Sequence, residues 1–337
     1  MKVAFDTRPT SDPRGVGRYS RCMLRALTAT ASPQDELIEL HRASAITRSL
    51  KADVFHTPWI SGAMLHSPCP MVVTLHGLAP LKRRSELLRT GMRLRLRHLA
   101  VQRAVSVIVP TEAVARDAVS HLRVERERIA VIPEAADEAM RPRSATEVEQ
   151  VRERHGLPER YMLSVGGLEH PDPARHIAEL AGVASELPLV LVGATRPWVH
   201  ELQGVHLTGR VSDEELAAIY TGAHALLLPS EDEGFGLTAV EALACGTPVA
   251  AFDSPALREV LGTRASLVTP GDVKELVRAG LAATRPAPAA IAWSWMDAAR
   301  ATWSVYAGAF AAADEPRTAG RILRRPAPGG IERLEAQ

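Results

Sequence analysis

Short, continuous runs of apolar residues recur along the chain and are separated by longer stretches with helical spacing. Strands that are buried on both faces of a parallel sheet have this unbroken pattern, and helices such as those predicted over Val16–Ala31 and Asp213–Ala223 connect them. The predicted strands form two groups, which are Lys2–Phe5, Asp53–His56, Met71–His76, Val105–Pro110 and Arg128–Pro133 in the first half and Tyr161–Val165, Leu187–Gly193, Val205–Gly209, His224–Pro229, Pro248–Asp253 and Ser266–Thr269 in the second. The pattern predicts an α/β protein with two parallel sheets.

A polar stretch between the two groups of strands marks a predicted domain boundary. The 337 residues suffice for two domains of about 150 residues each. We expect Rossmann-like domains over residues 1–140 and 159–293, a linker over 141–158, and a flexible tail rich in proline and arginine over 314–337. Ligands of open parallel sheets bind beyond the carboxyl ends of the strands, so functional residues are expected there, in a cleft between the sheets.

Composition limits the partners that this chain can have. The net charge of +1 argues neither for nor against binding of nucleic acid, but 4 % aromatic residues are too few for a surface that stacks on bases. Cys22, Cys69 and Cys245 lack the spacing of metal ligands and indicate reduced thiols in a cytoplasmic protein. Asp6 stands where a signal peptide would be apolar, and no apolar run approaches the roughly 20 residues that span a bilayer.

A glycine turn leads into a helix after the fourth strand of the second group. The helix is predicted over Leu237–Ala244, and Gly234 and Gly236 before it allow the backbone to approach a ligand closely. The amides of Gly236, Leu237 and Thr238 lie at the positive end of the helix dipole. This arrangement favours phosphate binding.

Two glutamates flank this turn. Glu241 lies on the same face of the helix as Leu237, where its carboxylate suits a vicinal diol such as a ribose, and Glu233 precedes the turn and suits a sugar ring. A strand–loop–helix unit with two surface glutamates is the simpler interpretation of the turn alone. The whole run, however, resembles the Glu-x7-Glu signature of glycosyltransferase family 4, whose members are retaining enzymes with two facing Rossmann-like domains, the GT-B fold. The family usually has proline at the position of Thr238.

The resemblance extends over nearly the whole chain. Met71–His76 resembles the segment that ends in a His-Asp pair near the donor sugar, with Gly77 in place of the aspartate. His76 is therefore implied to be catalytic, together with Glu233. A helix over 294–312 resembles the one that braces the first domain. The run Gly15, Val16, Gly17, Arg18 and Tyr19 resembles the family's Gly-Ile-Gly-Arg-Tyr loop. In the family this loop approaches a phosphate or the acceptor.

One departure from the family concerns the donor diphosphate. An Arg-Lys pair binds the diphosphate in the family, whereas Pro171 and Asp172 occupy those positions here. A leaving diphosphate needs positive charge around it, and a helix dipole contributes only about 0.3–2 kcal/mol. The departure has three alternative explanations: another basic residue replaces the Arg-Lys pair, the donor is unusual, or the protein binds a nucleotide-sugar without turnover. The candidate substitutes are Arg175, His170, Arg196 and Arg210 of the second domain and Arg14 and Arg18 across the cleft. A second departure is Glu-Ala-Ala-Asp at Glu134–Asp137, where the family often has Asn-Gly-Val-Asp.

The resemblance implies a mechanism and a division of roles. The first domain binds a hydroxyl acceptor, which is a glycan, a glycolipid or a small metabolite, and the second binds a nucleotide-diphospho-sugar that donates a hexose. Glu241 holds the ribose, Glu233 holds the sugar hydroxyls, and the leaving phosphate takes the acceptor proton on the same face of the sugar. Neither a metal nor another cofactor is expected. The donor-binding residues that the resemblance implies are Gly166, Gly167, Gly234, Phe235, Gly236, Leu237, Thr238 and Glu241.

A strongly basic segment lies in the first half of the chain, over residues 82–103. Its amphipathic pattern favours contact with an anionic membrane at the inner face, although a solvated helix face with packed arginine stems is the simpler interpretation. Its basic residues, against the single acid Glu86, are Lys82, Arg83, Arg84, Arg89, Arg93, Arg95, Arg97 and Arg103.

Three other functions are weighed against the transferase. A non-catalytic GT-B protein that binds a sugar nucleotide or supports a partner enzyme fits the missing basic pair, but both glutamates and His76 are retained. A phosphorylase-like enzyme needs basic ligands for free phosphate, which the sequence does not identify. A dinucleotide oxidoreductase fits poorly, because Gly15 and Gly17 are not followed by the third glycine of that fingerprint.

Overall fold

The computed structural model describes residues 1–12, 14–42, 50–78, 96–183 and 185–314. In these ranges the chain forms two parallel sheets, as the sequence predicts, and each has six strands, where the sequence predicts five in the first and six in the second. The first sheet has the order β2-β1-β3-β4-β5-β6. Its strands are β1 (Lys2–Asp6), β2 (Glu36–Leu40), β3 (Val54–Thr57), β4 (Met71–Thr74), β5 (Ser106–Val109) and β6 (Ile129–Val131). We call this sheet and the helices packed on it the N-terminal unit.

The second sheet has the order β12-β11-β10-β7-β8-β9. Sequential strands run outward in both directions from the β10–β7 pair, so the chain changes direction there. This topology places the crevice for a ligand beyond the carboxyl ends of β7 and β10. The strands are β7 (Met162–Val165), β8 (Leu189–Val192), β9 (Val205–Gly209), β10 (Ala225–Leu228), β11 (Val249–Phe252) and β12 (Ala265–Val268). We call this sheet and its helices the C-terminal unit.

Helices connect the strands and cover both faces of each sheet. They are α1 (Gly15–Thr30), α2 (Glu112–Leu122), α3 (Ala145–His155), α4 (Ile177–Gly182), α5 (Pro197–His200), α6 (Asp213–Gly222), α7 (Leu237–Ala244), α8 (Pro255–Leu261), α9 (Val273–Leu281) and α10 (Trp295–Asp314). Residues 96–102 are also helical. Short 3-10 helices occupy Arg8–Ser11, Ile60–Gly62, Arg126–Arg128, Pro173–Arg175 and Gly262–Arg264. No helix among the described residues is long and apolar enough to cross a membrane.

The sequence did not predict the edge strand β2. Its residues Glu36–Leu40 include two glutamates among three apolar residues, and only Leu40 is fully buried. A strand at the edge of a sheet is half exposed, so it lacks the unbroken apolar run of the central strands. The predicted strand Met71–His76 is also too long, because β4 ends at Thr74 and His76 lies in the loop beyond it.

Helix α10 packs against α1 and the first sheet. The hydroxyl of Tyr306 lies 2.5 Å from Nδ1 of the buried His56, and Trp303 donates a hydrogen bond to the carbonyl of Leu27 (3.3 Å). The helix starts one residue later and ends two residues later than the predicted range 294–312. The last helix of the described ranges therefore covers the N-terminal unit, which lies distant from it in the sequence.

The region between the sheets contains one helix with strong capping. The Ser144 side chain accepts from the Glu147 amide in the first turn of α3, and the Glu147 carboxylate accepts from the Ser144 amide (2.8 Å). The helix rests on the C-terminal unit, because Arg154 pairs with Glu215 of α6 (2.7 Å). The domain limits at 140 and 159 stay a prediction.

Two predictions fall largely outside the described residues. The tail over 315–337 is one of them. The other is the basic segment, of which only residues 96–103 are described; there Leu96 and Leu99 are exposed. Membrane contact by this segment stays a prediction.

Candidate functional site

The two units meet along the carboxyl ends of both sheets. The Thr111 hydroxyl, which caps α2 of the N-terminal unit, donates to the carbonyl of Gly234 (3.0 Å). The carboxylate of Glu259 in α8 accepts from the amides of Glu112 and Ala113 (2.7 and 3.1 Å), at the positive end of the α2 dipole. These contacts hold the cleft closed at the loop that follows β10.

Gly234 lies where the backbones of the two units touch. A Cβ atom on this residue would overlap the carbonyl oxygen of His76. The glycine is therefore needed for closure of the cleft, and His76 and the glycine turn lie on opposite walls of one site. The expected roles of His76 at the donor sugar and of the glycine turn at the diphosphate stay predictions.

Helix α7 begins as predicted after the glycine turn. Gly236 is its N-cap residue, with φ +85°, and Leu237 and Thr238 form the first turn, whose amides have no partners within the helix. Leu237 packs against the apolar clusters of both units. Phe235 was expected to bind the donor, but its ring is buried in the core beside Trp293. The ring therefore supports the glycine turn from the side of the core.

Arg175 occupies the loop after β7, opposite Glu233. Gly166 and Gly167 have φ +78° and +75°, and a Cβ on Gly167 would lie 2.9 Å from Cδ of Arg175. The Arg175 guanidinium lies 4.0 Å from the Glu233 carboxylate, whose side chain is 18 % exposed. The positive φ favours glycine at 167, and a side chain there would also have to displace the arginine.

The local sequence explains how Arg175 reaches this position. The carboxylate of Asp172 accepts from the amide of Ala174 (3.1 Å) and caps the short 3-10 helix Pro173–Arg175. That turn folds the chain back toward Gly167. Asp172, which stands in a basic position of the family, is therefore a capping residue, and a positively charged residue, Arg175, follows three positions later.

The other candidate substitutes are exposed or have other partners. His170 and Arg196 are exposed, and Arg196 is the N-cap residue of α5. Arg14 pairs with Asp12 (2.5 Å), and Arg210 interacts electrostatically with the same carboxylate from the other side of the cleft. Of the six candidates, Arg175 is the one that contacts both Gly167 and Glu233.

His76 has a partner for each ring nitrogen. Nδ1 lies 2.9 Å from the Glu134 carboxylate, and Nε2 lies 2.8 Å from the carbonyl of Pro58. A carbonyl only accepts, so Nε2 is the donor there and carries a proton. The ring edge also contacts Tyr19 at 4.5 Å between centroids. Glu134 is buried, and its sequence signal is only a departure from the family pattern.

The second glutamate of the signature forms an ion pair with the N-terminal unit. Nε of Arg18 lies 3.0 Å from Oε1 of Glu241, and Nη2 of Arg18 lies 2.6 Å from Asp213 at the start of α6. The Tyr220 hydroxyl donates to Oε2 of Glu241 (3.3 Å). Burial raises the pKa of Glu241 to about 7, although the guanidinium opposes this shift. Asp213 and Tyr220 are further residues that the sequence analysis missed.

The glycine-rich loop of the N-terminal unit presents Arg18 to the cleft. Gly15 is exposed and Val16 is half-buried at the start of α1. Gly17 is buried, and a Cβ there would overlap the carbonyl of Asp12, so this glycine lets the helix pack on the preceding turn. Of this run, Arg18 makes the ion pairs with the opposite unit.

Two family models match the chain, one for each unit. Residues 7–139 match the model described as Glycosyltransferase Family 4, and residues 159–284 match Glycosyl transferases group 1. The chain belongs to glycosyltransferase family 4. This family 4 chain has its Glu-x7-Glu residues in the C-terminal unit and its glycine-rich loop in the N-terminal unit, as the resemblance implies.

Relatives of this family 4 chain include transferases for several sugars. It is 31 % identical to the 2-deoxystreptamine glucosyltransferase of Streptomyces kanamyceticus over 53 % of this chain and 51 % of the relative. It is 29 % identical to the D-inositol 3-phosphate glycosyltransferase of Geodermatophilus obscurus over 85 % and 74 %. The chain spans about half the length of the first relatives, or less, with 43 % covered for the MMP alpha-(1->4)-mannosyltransferase of Mycolicibacterium hassiacum.

Solved structures share the two-sheet GT-B fold. The structure of Anabaena Alr3699/HepE in complex with UDP and glucose superimposes with a TM-score of 0.64 at 17 % identity, covering 93 % of this chain and 98 % of that one. WaaG, described as a glycosyltransferase involved in lipopolysaccharide biosynthesis, gives a TM-score of 0.62 at 16 % identity, covering 94 % and 96 %. The fold predicted from the sequence is therefore confirmed.

Proposed function

We propose that this chain is a retaining glycosyltransferase that moves a hexose from a nucleotide-diphospho-sugar to a hydroxyl acceptor without a metal ion. The observation that carries the proposal is the position of Arg175 on Gly167 and opposite Glu233, at the point where the second sheet changes direction. A guanidinium there supplies the positive charge that a leaving diphosphate requires.

The donor is bound by groups from the loops after β7 and β10. The diphosphate lies between the Gly166–Gly167 loop and the first turn of α7, where Arg175 donates to its oxygens. Glu233 accepts from the sugar hydroxyls and Glu241 from the ribose. Support for a nucleotide-sugar comes from Anabaena Alr3699/HepE, whose structures are described with UDP and with UDP-glucose. The names of the relatives support a hexose, because they include glucosyl- and mannosyltransferases.

His76 acts from the opposite wall of the cleft. The hydrogen bond between Nδ1 and Glu134 holds its ring, and Nε2 carries a proton. In the Michaelis complex, Nε2 exchanges the Pro58 carbonyl for a hydroxyl of the donor sugar and so orients the sugar. The leaving phosphate takes the proton of the acceptor hydroxyl on the same face of the sugar, which retains the anomeric configuration.

Closure of the two units protects this reaction from water. The hydrogen bond from Thr111 to Gly234 and the contacts of Glu259 with α2 form only in the closed arrangement. Closure removes the donor from bulk solvent and limits its hydrolysis. A metal ion is not required in this scheme, because Arg175 and the α7 dipole stabilise the diphosphate.

The absence of the family's Arg-Lys pair was the reason to consider a non-catalytic protein. Arg175 removes that reason, because it supplies a positive charge at the same loop. The acceptor is a glycan, a glycolipid or a small metabolite, since a hydroxyl is all that the chemistry requires of it.

A thermal-shift screen against UDP, GDP, dTDP and ADP and their common sugar conjugates tests the proposal. A ligand that binds the folded state raises the melting temperature by mass action. We expect one nucleotide to raise the melting temperature. Arg175→Ala should lower the affinity for that nucleotide at least tenfold, whereas the matched exposed variant Arg196→Ala should bind it as wild type does. If no nucleotide or sugar nucleotide shifts the melting temperature of wild type, the transferase proposal is wrong.

A further inference from the structure

We infer that Arg18 completes the ribose site from the N-terminal unit and that, together with Glu241, it selects ribonucleotide donors over 2′-deoxyribonucleotide donors. The inference rests on the proposed role of Glu241 as the ribose ligand. It adds a residue of the opposite unit, and a chemical preference, to that site.

Two buried polar atoms without hydrogen-bond partners point to the site. Within the described ranges, neither Nη1 of Arg18 nor Oε1 of Glu241 has a hydrogen-bond partner. Their side chains are 13 % and 2 % exposed. The 3.0 Å separation of Nε and Oε1 brings the charges together, but the N–H bond is not directed at the oxygen, so the oxygen retains its capacity to accept.

The remaining atoms of both groups are occupied. Nη2 of Arg18 donates to Asp213 (2.6 Å), and Oε2 of Glu241 accepts from Tyr220 (3.3 Å). One donor and one acceptor are therefore left at the same place. A hydroxyl group matches this pair, because it donates one hydrogen bond and accepts others.

A buried polar atom without a partner is costly and is rare in folded proteins. A ribose hydroxyl that donates to Oε1 and accepts from Nη1 satisfies both atoms at once. With the 2′-hydroxyl of the ribose in this position, a 2′-deoxyribose leaves both atoms unsatisfied in a closed cleft. Sites that are built to bond a hydroxyl reject analogues without it far more strongly than apolar pockets reject an extra group.

Arg18 belongs to the N-terminal unit, so it reaches the ribose only when the cleft is closed. Asp213 fixes the guanidinium from the C-terminal unit at that stage. The ribose preference is therefore established on closure, whereas Glu241 is present at the site before closure.

The test compares UDP and GDP with their 2′-deoxy counterparts by isothermal calorimetry on the full chain. We expect wild type to bind one ribonucleoside diphosphate at least tenfold more tightly than its deoxy form. In Arg18→Met the ratio falls below threefold, mainly because the ribonucleotide binds more weakly. Arg25→Met is the matched control two turns further along α1, where Arg25 pairs with Asp137, and it keeps the wild-type ratio.

A second variant keeps the test valid if Arg18→Met does not fold. Arg18→Lys retains the charge, but one ammonium group cannot contact Asp213, Glu241 and a hydroxyl in the same geometry, so an intermediate ratio is expected. An unchanged ratio in both variants overturns the inference, and so does tighter ribonucleotide binding in Arg18→Met, which would make Arg18 a competitor for the site. If wild type binds no nucleotide of either kind, the proposed function itself fails together with the inference.

Discussion

Gly234 of the C-terminal unit lies directly against the main-chain carbonyl of His76 in the N-terminal unit, with no space for a Cβ atom between them. The obstacle to a side chain at 234 is backbone, which cannot move aside as a flexible side chain can. Closure of the cleft therefore depends on the absence of one methyl group at this position.

We expect Gly234→Ala to prevent full closure and to lower kcat at least a hundredfold, because the donor and His76 no longer meet in the productive geometry. The variant is expected to show a larger radius of gyration by small-angle X-ray scattering in the presence of the donor nucleotide. Gly308→Ala is the control, since its Cβ would meet no atom within 4 Å on the exposed face of α10. Wild-type kcat in Gly234→Ala would contradict the closed geometry.

The raised pKa of Glu241 predicts how stability depends on pH. Burial raises this pKa from 4.5 to about 7, so the folded state binds more protons than the unfolded state between these values. The contribution of Glu241 to stability is therefore fully present below pH 4.5 and falls as the pH rises toward 7, by roughly 3 kcal/mol at most.

Urea unfolding of wild type and Glu241→Gln from pH 4.5 to 8 measures this effect. We expect the free energy of unfolding of wild type to fall relative to the variant across that range, because the amide does not titrate. Other groups titrate in both proteins and cancel in the difference. A difference that is constant with pH would show that Glu241 is ionised in the fold throughout.

His176 is expected to stabilise the loop that carries Arg175 in a pH-dependent way. Its Nδ1 and Nε2 lie 2.8 Å from Glu179 and 2.9 Å from Glu231. Partial burial lowers the pKa of His176, but the hydrogen bonds to the two carboxylates outweigh burial and raise it above 6.5. The stabilisation is therefore complete below pH 6.5 and is lost as the pH rises through the folded pKa.

His176→Asn tests this relationship, because asparagine tolerates the left-handed backbone at φ +46° while it removes the charge. We expect the melting temperature to fall by about 3 °C at pH 6 and by less at pH 8.5. An equal fall at both values would mean that the imidazolium charge contributes nothing.

The contact between Tyr306 and His56 is expected to hold α10 on the N-terminal unit. Burial lowers the pKa of His56 to about 3, so its ring stays neutral. A neutral ring has one donor and one acceptor nitrogen, and these make one hydrogen bond to Tyr306 and one to Thr74. Tyr306→Phe leaves Nδ1 buried without that partner and should cost about 1–3 kcal/mol in urea unfolding. The exposed variant Ser304→Ala on the same helix should change stability by less than about 0.5 kcal/mol.

Local sequence was sufficient to locate most strands of the two sheets and the glycine turn before α7. The central strands are unbroken apolar runs, and α7 has the bounds Leu237–Ala244 that its flanking glycines predict. These features follow from side-chain pattern and turn chemistry over a few residues, and such preferences do not need the rest of the chain. The edge strand β2 escaped detection because half exposure removes the same pattern.

Charge placement could not be decided from the sequence. Alignment put Pro171 and Asp172 where the family has basic residues, and six residues were candidates to replace them. Only the folded chain shows Asp172 capping a short turn that returns Arg175 to Gly167. The pairing of His76 with Glu134 likewise joins two loops that follow different strands of the first sheet.

The sequence by itself determined the family, the two parallel sheets and the residue types that a nucleotide-sugar site needs, since each depends on short patterns. Tertiary structure decided which charges meet. Arg18 and Asp213 are 195 positions apart, and their contact depends on how two separately folded sheets close on each other. No local preference encodes this contact, because it is set by the packing of the whole chain.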